Sequence, residues 1–237
     1  MPQLFAGTSG FAYPQWKPEF YPEKLAQAKF LTHYATRLNS VEINYTFRRH
    51  PSESTLDKWV KQTAKGFSFS VKANQRITHF QRLKSAEDST EFFFKSVEPL
   101  RAAGRLGVVL FQLPPNLRCD VERLQNYLKL IPEGRRCAFE FRHESWFDEA
   151  VYEALRQHNV CFCRAESDTL ESPPVLTSDF VYFRQRKSDY SAEDREVIGA
   201  QVSELLGEGK DVYLYFKHED SPAGALYAEQ MLTKIAR

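Results

Sequence analysis

A run of ten residues, Cys137–Trp146 (CAFEFRHESW), carries the densest set of side chains that could do chemistry. Alternation along Cys137–Arg142 is typical of a β-strand, and it places Glu140 and Arg142 on the face opposite the aromatic residues. A carboxylate can act as a general acid or base, a guanidinium binds anions, and His143, just after the strand, can move protons. A structural glutamate–arginine pair fits the same pattern, so the rest of the chain has to decide between the two interpretations.

Other strand-like segments also end in polar or charged side chains. If their apolar residues pack under helices, alternation turns these side chains toward the interior of the fold. The inward residues predicted in this way are Glu42 and Asn44, Lys72, Gln112, Glu140 and Arg142, Arg164 and Glu166, Arg184, and Lys217. The same phasing turns Cys161 and Cys163 outward. Because a buried charge must be paired or must bind something, we expect a neutralised network or a polar ligand site, and we favour the ligand site.

Eight strand-like segments alternate with helical patterns along the chain. The predicted strands are Leu4–Thr8, Ser40–Asn44, Phe67–Ala73, Gly107–Leu113, Cys137–Arg142, Val160–Glu166, Phe180–Arg184 and Asp211–Lys217. The predicted helices are Pro22–Leu38, Ser52–Thr63, Ala86–Ala103, Val121–Leu130, Phe147–Gln157, Ala192–Leu206 and Ala223–Ala236. The proline-rich stretch 167–179 predicts a loop or a single turn of helix. This order predicts an α/β fold, a single parallel eight-stranded (β/α)8 TIM barrel spanning residues 1–237. A doubly wound open sheet is the competitor, but GTSGF at 7–11 is not the GxGxxG loop that such a sheet predicts.

The composition narrows the class of protein. Among 237 residues, 42% are hydrophobic and 14% aromatic, which suits one barrel with a sizeable core. The net charge is +1, so any patch that attracts polyanions must be local. We expect no signal peptide and no membrane span, because no apolar stretch approaches the required length of about 20 residues. The four cysteines form no CxxC pair and predict reduced thiols in a cytoplasmic protein.

A set of motifs spread over nearly the whole chain resembles the DUF72 family, also called YecE-like proteins. These motifs are GTSGF at 7–11 with Trp16, FYP at 20–22, VEIN-x-TF at 41–47, GFSFSVKA at 66–73, ITH at 77–79, LFQLPP at 110–115 and EFRHESW at 140–146. The resemblance implies a TIM barrel and no particular reaction, because the family is uncharacterised. The chain departs from the family pattern after the last two strands. Where an R-L-H-G-like and an F-D-N-like motif are expected, it has Arg184-Gln185-Arg186-Lys187 and Phe216-Lys217-His218, which makes this rim more basic.

Carboxylates and aromatic residues leave alternatives open. Glu42, Glu140 and Glu166 could hold a divalent cation from three strands, but cations on the same rim would compete for them. The chain also has no H-x-x-E or HExxH spacing, so we predict no metal and no other cofactor. The aromatic residues Tyr13, Trp16 and Trp146 are candidates for ligand contact, and packing of a lid or of the core is their alternative.

Basic residues concentrate near the predicted strand ends. They are Arg48, Arg49, Lys72, Arg76, Arg82, Arg142, Arg184, Arg186, Lys187 and Lys217, interleaved with the aromatic residues Tyr45, Phe47, Phe80 and Trp146. Most charge runs are solvated surfaces. On a near-neutral protein, however, this concentration favours a phosphate-containing partner.

We therefore predict a barrel that binds a small anionic ligand at the carboxyl ends of its strands. As an enzyme it would be a hydrolase, lyase or isomerase of a phosphate ester or nucleotide-like substrate. Glu140 would be the general acid or base, Lys72 would hold the anion, and His79 or His143 would move protons. The predicted ligand contacts are Tyr13, Trp16, Glu42, Asn44, Gln112, Arg142, Trp146, Glu166, Arg184 and Lys217. The alternative is a nucleic-acid-binding module without catalysis. The oligomeric state is left open.

Overall fold

The strands of the fold pair in parallel and alternate with helices along the chain. The structure, a computed structural model, describes residues 1–167, 170–217 and 220–235. Its strands are β1 (Leu4–Thr8), β2 (Ser40–Ile43), β3 (Ser68–Lys72), β4 (Leu106–Gln112), β5 (Cys137–Glu140), β6 (Cys161–Phe162), β7 (Arg164–Glu166), β8 (Phe180–Gln185) and β9 (Asp211–Phe216). Its helices are α1 (Phe30–Arg37), α2 (Tyr45–Arg48), α3 (Glu53–Lys61), α4 (Glu87–Ala102), α5 (Val121–Leu128), α6 (Glu149–Gln157), α7 (Ala192–Gly207) and α8 (Ala223–Ile235).

The strands form two sheets. One has four strands in the order β1-β9-β8-β7, and the other has five in the order β2-β3-β4-β5-β6. The two sheets are joined between β6 and β7, which are separated only by Cys163. The Cys163 N–H donates to the Phe139 carbonyl of β5 at 2.8 Å, and Ala165 then pairs with Arg184 of β8. The single strand predicted over Val160–Glu166 is therefore two short strands, one in each sheet.

The sheets also meet at their other edges, between β1 and β2. The contact there is a single parallel bridge, Ser9 to Glu42, and side chains complete the rest of it. The Tyr34 hydroxyl accepts the Thr8 N–H at 2.8 Å and donates to the Ser40 carbonyl at 2.9 Å. Because this hydroxyl satisfies backbone groups of both strands, the two edges are joined without a continuous ladder.

Several helices begin at a capping side chain. The Ser52 hydroxyl accepts the Thr55 N–H at 3.2 Å before α3, and Ser191 forms a capping box with Asp194 before α7. Most helix predictions are confirmed to within a few residues. None of the described helices is both long and apolar enough to cross a lipid bilayer.

The first helix prediction, Pro22–Leu38, is wrong at its start. A short turn at Gln27–Lys29 precedes α1, which begins only at Phe30, because the buried face of this helix starts there. The last residue of the predicted helix Ala223–Ala236 lies outside the described residues. For 167–179 the prediction was a loop or a single turn of helix, and the described part of that stretch is a loop without a helix.

A small apolar cluster fills the space where side chains of the two sheets meet. It contains Val108, Leu110, Ala138, Cys161, Cys163, Phe180, Tyr182, Tyr213 and Tyr215. The prediction that Cys161 and Cys163 point outward is therefore wrong. Phe162 is the larger apolar residue of this segment, and it packs against Tyr152 of α6 with ring centroids 5.2 Å apart. Since the bulky ring takes the helix side, the two small thiols take the crowded interior.

Because the alternation of this segment is opposite to the predicted one, its charged residues also point in the opposite direction. Arg164 was predicted to point inward, but its guanidinium donates to the Pro174 carbonyl at 3.1 Å and lies 5.5 Å from the Phe183 ring. Glu166 was predicted to point inward too, but its carboxylate pairs with Lys187 at 3.0 Å. Both predictions are wrong for one reason: the face of the segment that was assigned to the helices is the face that points into the fold.

Candidate functional site

A buried ion network joins three strands near their carboxyl ends. Arg184 of β8 donates Nε–H to Glu42 Oε2 at 2.8 Å and Nη2–H to Glu42 Oε1 at 2.7 Å, the bidentate arrangement of a strong ion pair. Its Nη1 donates to Glu140 Oε2 of β5. All three residues are at most 4% exposed. We call Glu42, Arg184 and Glu140 the ion network.

One guanidinium neutralises only one of the two carboxylate charges. Neutral hydrogen-bond donors stabilise the negative charge that remains. The Ser9 hydroxyl donates to Glu42 Oε1 at 2.7 Å, the Tyr182 hydroxyl to Glu42 Oε2 at 2.8 Å, and Gln112 Nε2 to Glu140 Oε1 at 2.8 Å. Burial alone would raise the pKa of Glu42, but Arg184 and the hydrogen bond from Ser9 lower it to about 2. The pKa of Glu140 is also lowered, against its burial, by Arg184 and Gln112.

Lys72, at the end of β3, has different surroundings. Its half-buried ammonium donates to Gln112 Oε1 at 2.7 Å and lies 4.1 Å from the centre of the Phe47 ring. Within the described part of the chain, Lys72 forms no ion pair. Burial and then Arg184 lower its pKa to about 8, although Glu140 and Glu42 favour its proton. An amine with this pKa can bind an anion, accept a proton or act as a nucleophile.

His79 contacts the same aromatic ring. The ring centroids of His79 and Phe47 are 5.0 Å apart in an edge-to-face contact, and His79 Nδ1 is 2.9 Å from the Thr78 hydroxyl oxygen. Burial and the nearby cations Lys72 and Arg142 lower the pKa of His79. We call Lys72, Phe47 and His79 the amine site.

A strained loop follows His79. Arg82, Leu83 and Ser85 adopt φ angles of 49°, 65° and 46°, in the left-handed region that residues with a Cβ rarely occupy. Such residues cluster at functional sites, where the surrounding structure compensates for their cost. Backbone strain is therefore concentrated in the segment that directly follows His79.

The structure brings together only part of the predicted site. Glu42, Lys72, Gln112, Glu140 and Arg184 form one connected set, as the strand phasing predicted. Arg184 points inward as predicted, but both carboxylates engage its guanidinium, so it is not free for the predicted ligand contact. Glu166 lies apart, paired with Lys187. The idea that three glutamates converge on a cation is therefore wrong, and no group of three His, Cys, Asp or Glu within the described ranges could hold a metal ion.

Arg142 corrects the prediction for β5. The strand ends at Glu140, two residues early, and the Arg142 side chain is exposed instead of pointing inward. Its guanidinium forms no hydrogen bond or ion pair with the described residues, yet it lies close enough to His79 to affect that pKa. Arg142 thus belongs to the rim above the amine site.

The two predicted tryptophan contacts lie in the core. Trp16 and Trp146 are both 0% exposed. Trp146 Nε1 donates to the Leu117 carbonyl at 2.7 Å, and the Trp146 ring stacks on Phe141. Since its N–H has a partner, the indole is stable in this apolar environment. The ring of Trp16 packs among those of Phe20 and its neighbours. Ligand contact by either tryptophan is ruled out in this conformation, and the packing alternative holds.

The remaining predicted residues take supporting positions. The Tyr13 hydroxyl donates to the Ser9 carbonyl at 2.9 Å, next to the hydroxyl that holds Glu42. His143 Nδ1 accepts the Ser145 N–H at 3.1 Å, which caps a short helix. Asn44 Oδ1 is buried without a partner among the described residues, so it is an available acceptor. Lys217 is half-buried, just after β9, and His218 lies outside the described residues.

Three residues of the site were missed by the sequence analysis. Ser9 and Tyr182 hold Glu42, and Cys163 lies near the ion network, where burial and then Glu140 raise the pKa of its thiol. Tyr182 precedes Arg184 by two residues, so strand alternation could have placed it. Cys163 was missed because its strand was phased the wrong way, and Ser9 because it follows β1.

Comparisons with known proteins agree over most of the chain. A family model described as "Protein of unknown function DUF72" matches residues 5–237. The UPF0759 protein YunF of Bacillus subtilis (strain 168) is 35% identical over 251 aligned positions, covering 90% of this chain and 88% of YunF. The UPF0759 protein YecE of Escherichia coli (strain K12) is 27% identical, covering 73% of this chain and 60% of YecE. The crystal structure of a DUF72 family protein from Thermotoga maritima MSB8 has a TM-score of 0.88 at 29% identity, covering 99% of this chain and 100% of that one.

Proposed function

The chain belongs to the DUF72 family of proteins of unknown function, and we propose that it binds a small phosphate-containing anion beside Lys72. The family description carries no activity, so the proposal rests on the site. The proposed compartment is the cytoplasm, which suits the four free cysteines Cys119, Cys137, Cys161 and Cys163.

The proposal includes one closed eight-stranded (β/α)8 barrel, with residues 1–237 as a single domain. In this arrangement β6 and β7 are the two halves of the sixth strand. The joints at Cys163 and between Ser9 and Glu42 support closure, since the two sheets meet at both pairs of edges. Ligand sites of such barrels lie at the carboxyl ends of the strands, where the amine site is found.

The observation that carries the proposal is the division of charge at this end of the fold. Arg184 engages both carboxylates of the ion network, whereas the ammonium of Lys72 has only an amide oxygen and an aromatic ring as partners. Arg142 lies nearby and is exposed. Cations held without a carboxylate form a site for an anion, and phosphate matches the geometry of a guanidinium.

As an enzyme, the protein would transfer protons through the amine site. Both oxygens of Glu140 accept hydrogen bonds and its pKa is lowered, so the proposal assigns it to holding Gln112 and Arg184. The pKa of Lys72, about 8, suits proton transfer near neutral pH better, and His79 is its partner. The substrate class remains a phosphate ester or a nucleotide-like compound. No metal enters this proposal, because both carboxylates are already engaged.

A second candidate, a nucleic-acid-binding module, has its own support. Tyr45 and Phe80 are 49% and 71% exposed, unusually open for aromatic rings. Arg48, close to Tyr45 in α2, is exposed as well. Exposed rings beside cations can stack on the bases of single-stranded nucleic acid.

Binding of inorganic phosphate, followed by calorimetry, tests the leading proposal. We expect Lys72→Met and Arg142→Ala each to weaken binding by about tenfold, or about 1.4 kcal/mol. Lys24→Ala, at an exposed position away from the site, is the control and should change affinity less than about twofold. Equal losses in all three variants would mean that only bulk charge matters.

Short single-stranded oligonucleotides separate the two candidates. If the second is right, Tyr45→Ala and Phe80→Ala weaken oligonucleotide binding by about 1–3 kcal/mol for each stacked base lost. The binding of inorganic phosphate should then be absent or unaffected by Lys72→Met. If the first is right, the aromatic variants leave phosphate binding unchanged.

A further inference from the structure

We propose that Lys72 forms a covalent imine with the aldehyde or ketone group of a small anionic compound bound at the amine site. This inference rests on the proposed anion site and names the substrate class more closely: a carbonyl compound that carries a phosphate group. An ammonium that only holds an anion needs no further arrangement. The contacts of Lys72 go beyond that need.

The first contact is with an amide that is fixed in orientation. Gln112 Nε2 donates to Glu140 Oε1 at 2.8 Å, which turns the Gln112 carbonyl oxygen toward Lys72 Nζ at 2.7 Å. The amide therefore locates the amine without stabilising its charge as a carboxylate would. Glu140 itself is kept from Lys72 because Arg184 binds its other oxygen.

The surroundings reinforce this arrangement. Burial, Arg184 and Arg186 all act against the proton of Lys72, and they outweigh the opposite effect of Glu140 and Glu42. Lys187 is the contrast within the same chain, since Glu166 lies 3.0 Å from its ammonium and raises its pKa. Only a deprotonated amine can attack a carbonyl carbon, so a lysine held by an amide oxygen, with no carboxylate partner and a lowered pKa, suits a nucleophile.

The step needs no oxidant, reductant or further reactant. The Nζ lone pair attacks the carbonyl carbon, the carbon–oxygen π bond opens, and proton transfer from nitrogen to oxygen gives a carbinolamine. Loss of the hydroxyl with a proton, as water, leaves the carbon–nitrogen double bond. His79, which contacts the same Phe47 ring and is close enough to Lys72 for the ammonium to lower its pKa, would supply or remove the protons. The anionic group of the substrate would lie beside Arg142, which has no partner among the described residues.

Borohydride trapping tests the proposal with dihydroxyacetone phosphate as the probe. The protein is incubated with the probe, reduced, digested and analysed by mass spectrometry for the modified lysine. We expect Lys72 to be labelled at least about tenfold faster than any exposed lysine, because lowering its pKa from 10.5 to about 8 increases the fraction of free amine by far more. Dihydroxyacetone, the same ketone without phosphate, should label Lys72 about tenfold less.

Two variants test whether labelling of Lys72 depends on the surroundings of its amine or only on the accessibility of the amine. Lys72→Arg keeps the positive charge and should abolish the specific label. Gln112→Glu replaces the amide with a carboxylate, so it should raise the pKa of Lys72 and move the labelling profile to higher pH. The other charged groups around Lys72, which are Glu42, Glu140, Arg184, Arg186 and His79, are unchanged in that variant. Circular dichroism and thermal unfolding confirm that each variant is folded.

The outcomes are distinct from those of the phosphate experiment. Preferential, phosphate-dependent labelling of Lys72 with the shifted profile in Gln112→Glu supports the imine. Labelling spread evenly over exposed lysines, or an unshifted profile in folded Gln112→Glu, overturns it. Binding of inorganic phosphate at Lys72 without trapping overturns the imine alone. Absence of both phosphate binding and trapping overturns the anion site as well.

Discussion

The ion network and the amine site share the carboxyl ends of the strands and are joined by the Gln112 amide, yet their charges are balanced in different ways. In the ion network every charged atom has an oppositely charged or hydrogen-bonding partner from another strand. In the amine site a cation rests on an amide oxygen and an aromatic ring.

This difference separates scaffolding from reactivity. A guanidinium keeps its proton in any protein environment and has a planar fork that matches carboxylates, so it suits a permanent buried bridge. A lysine amine loses its proton readily when buried, so the same burial that stabilises one region prepares the other for chemistry. Polar residues at strand ends are thus of two kinds, and pairing tells them apart.

Removing the central cation should give the largest effect. Arg184→Met leaves the buried carboxylates of Glu42 and Glu140 without their shared partner, which should lower the free energy of unfolding by about 3–5 kcal/mol. Urea unfolding at neutral pH measures it. The matched change in the other region, Lys72→Met, removes an unpaired cation and should cost less than about 1 kcal/mol. Similar losses in both variants would contradict the division into scaffold and reactive site.

Acid should act on the ion network next. The folded pKa of Glu42, about 2, lies below its ordinary value of 4.5, so the carboxylate adds stability above pH 4.5 that is lost as the pH falls toward 2. This contribution amounts to about 3 kcal/mol. The difference in unfolding free energy between the wild type and Glu42→Gln should shrink over this range. A constant difference would show that Arg184 does not hold the charge of Glu42.

A smaller effect is expected when one carboxylate becomes an amide. Glu140→Gln keeps the shape but loses a charged acceptor for Arg184, which should cost about 2 kcal/mol of unfolding free energy. Glu144→Gln, at an exposed position four residues later, should change stability by less than about 0.5 kcal/mol. If an activity is found, Glu140→Gln also tests general acid or base catalysis by Glu140, which predicts a loss of about 10²–10⁴-fold in turnover. Retained turnover with lowered stability would favour the scaffold role.

Much of the strand order followed from the sequence, because apolar alternation and capping residues are local signals. Glu42, Lys72, Glu140 and Arg184 were placed together from strand phase alone, and the structure joins them. Local signals cannot say which of these charges pair, since pairing depends on the distances between strands that are far apart in sequence.

The errors have equally physical causes. Cys163 was predicted to point outward because alternation alone does not show which face of a strand points inward. The large ring of Phe162 takes the side that faces the helices, and the small thiol takes the interior. Trp146 was predicted to contact a ligand because the local sequence around an aromatic residue next to a charged motif does not show whether the ring is buried or exposed. The early end of β5, which leaves Arg142 on the rim, depends on tertiary contacts that alternation does not encode.

The smallest expected effect tests the comparison in a separate pH range, because the ion network should respond to acid and the amine site to alkali. The folded pKa of Lys72, about 8, lies below its ordinary 10.5, so the buried charge destabilises the fold below pH 8 and this penalty disappears as the pH rises to 10.5. The stability of the wild type relative to Lys72→Met should therefore increase over that range, by about 1 kcal/mol once solvent screening is allowed for. Taking the difference cancels the tyrosines, which titrate in both proteins. Lys24→Met serves as the control, and its difference from the wild type should not change with pH. A decrease for Lys72→Met would mean that Glu42 and Glu140 govern the amine, and the amine site would then be an extension of the ion network.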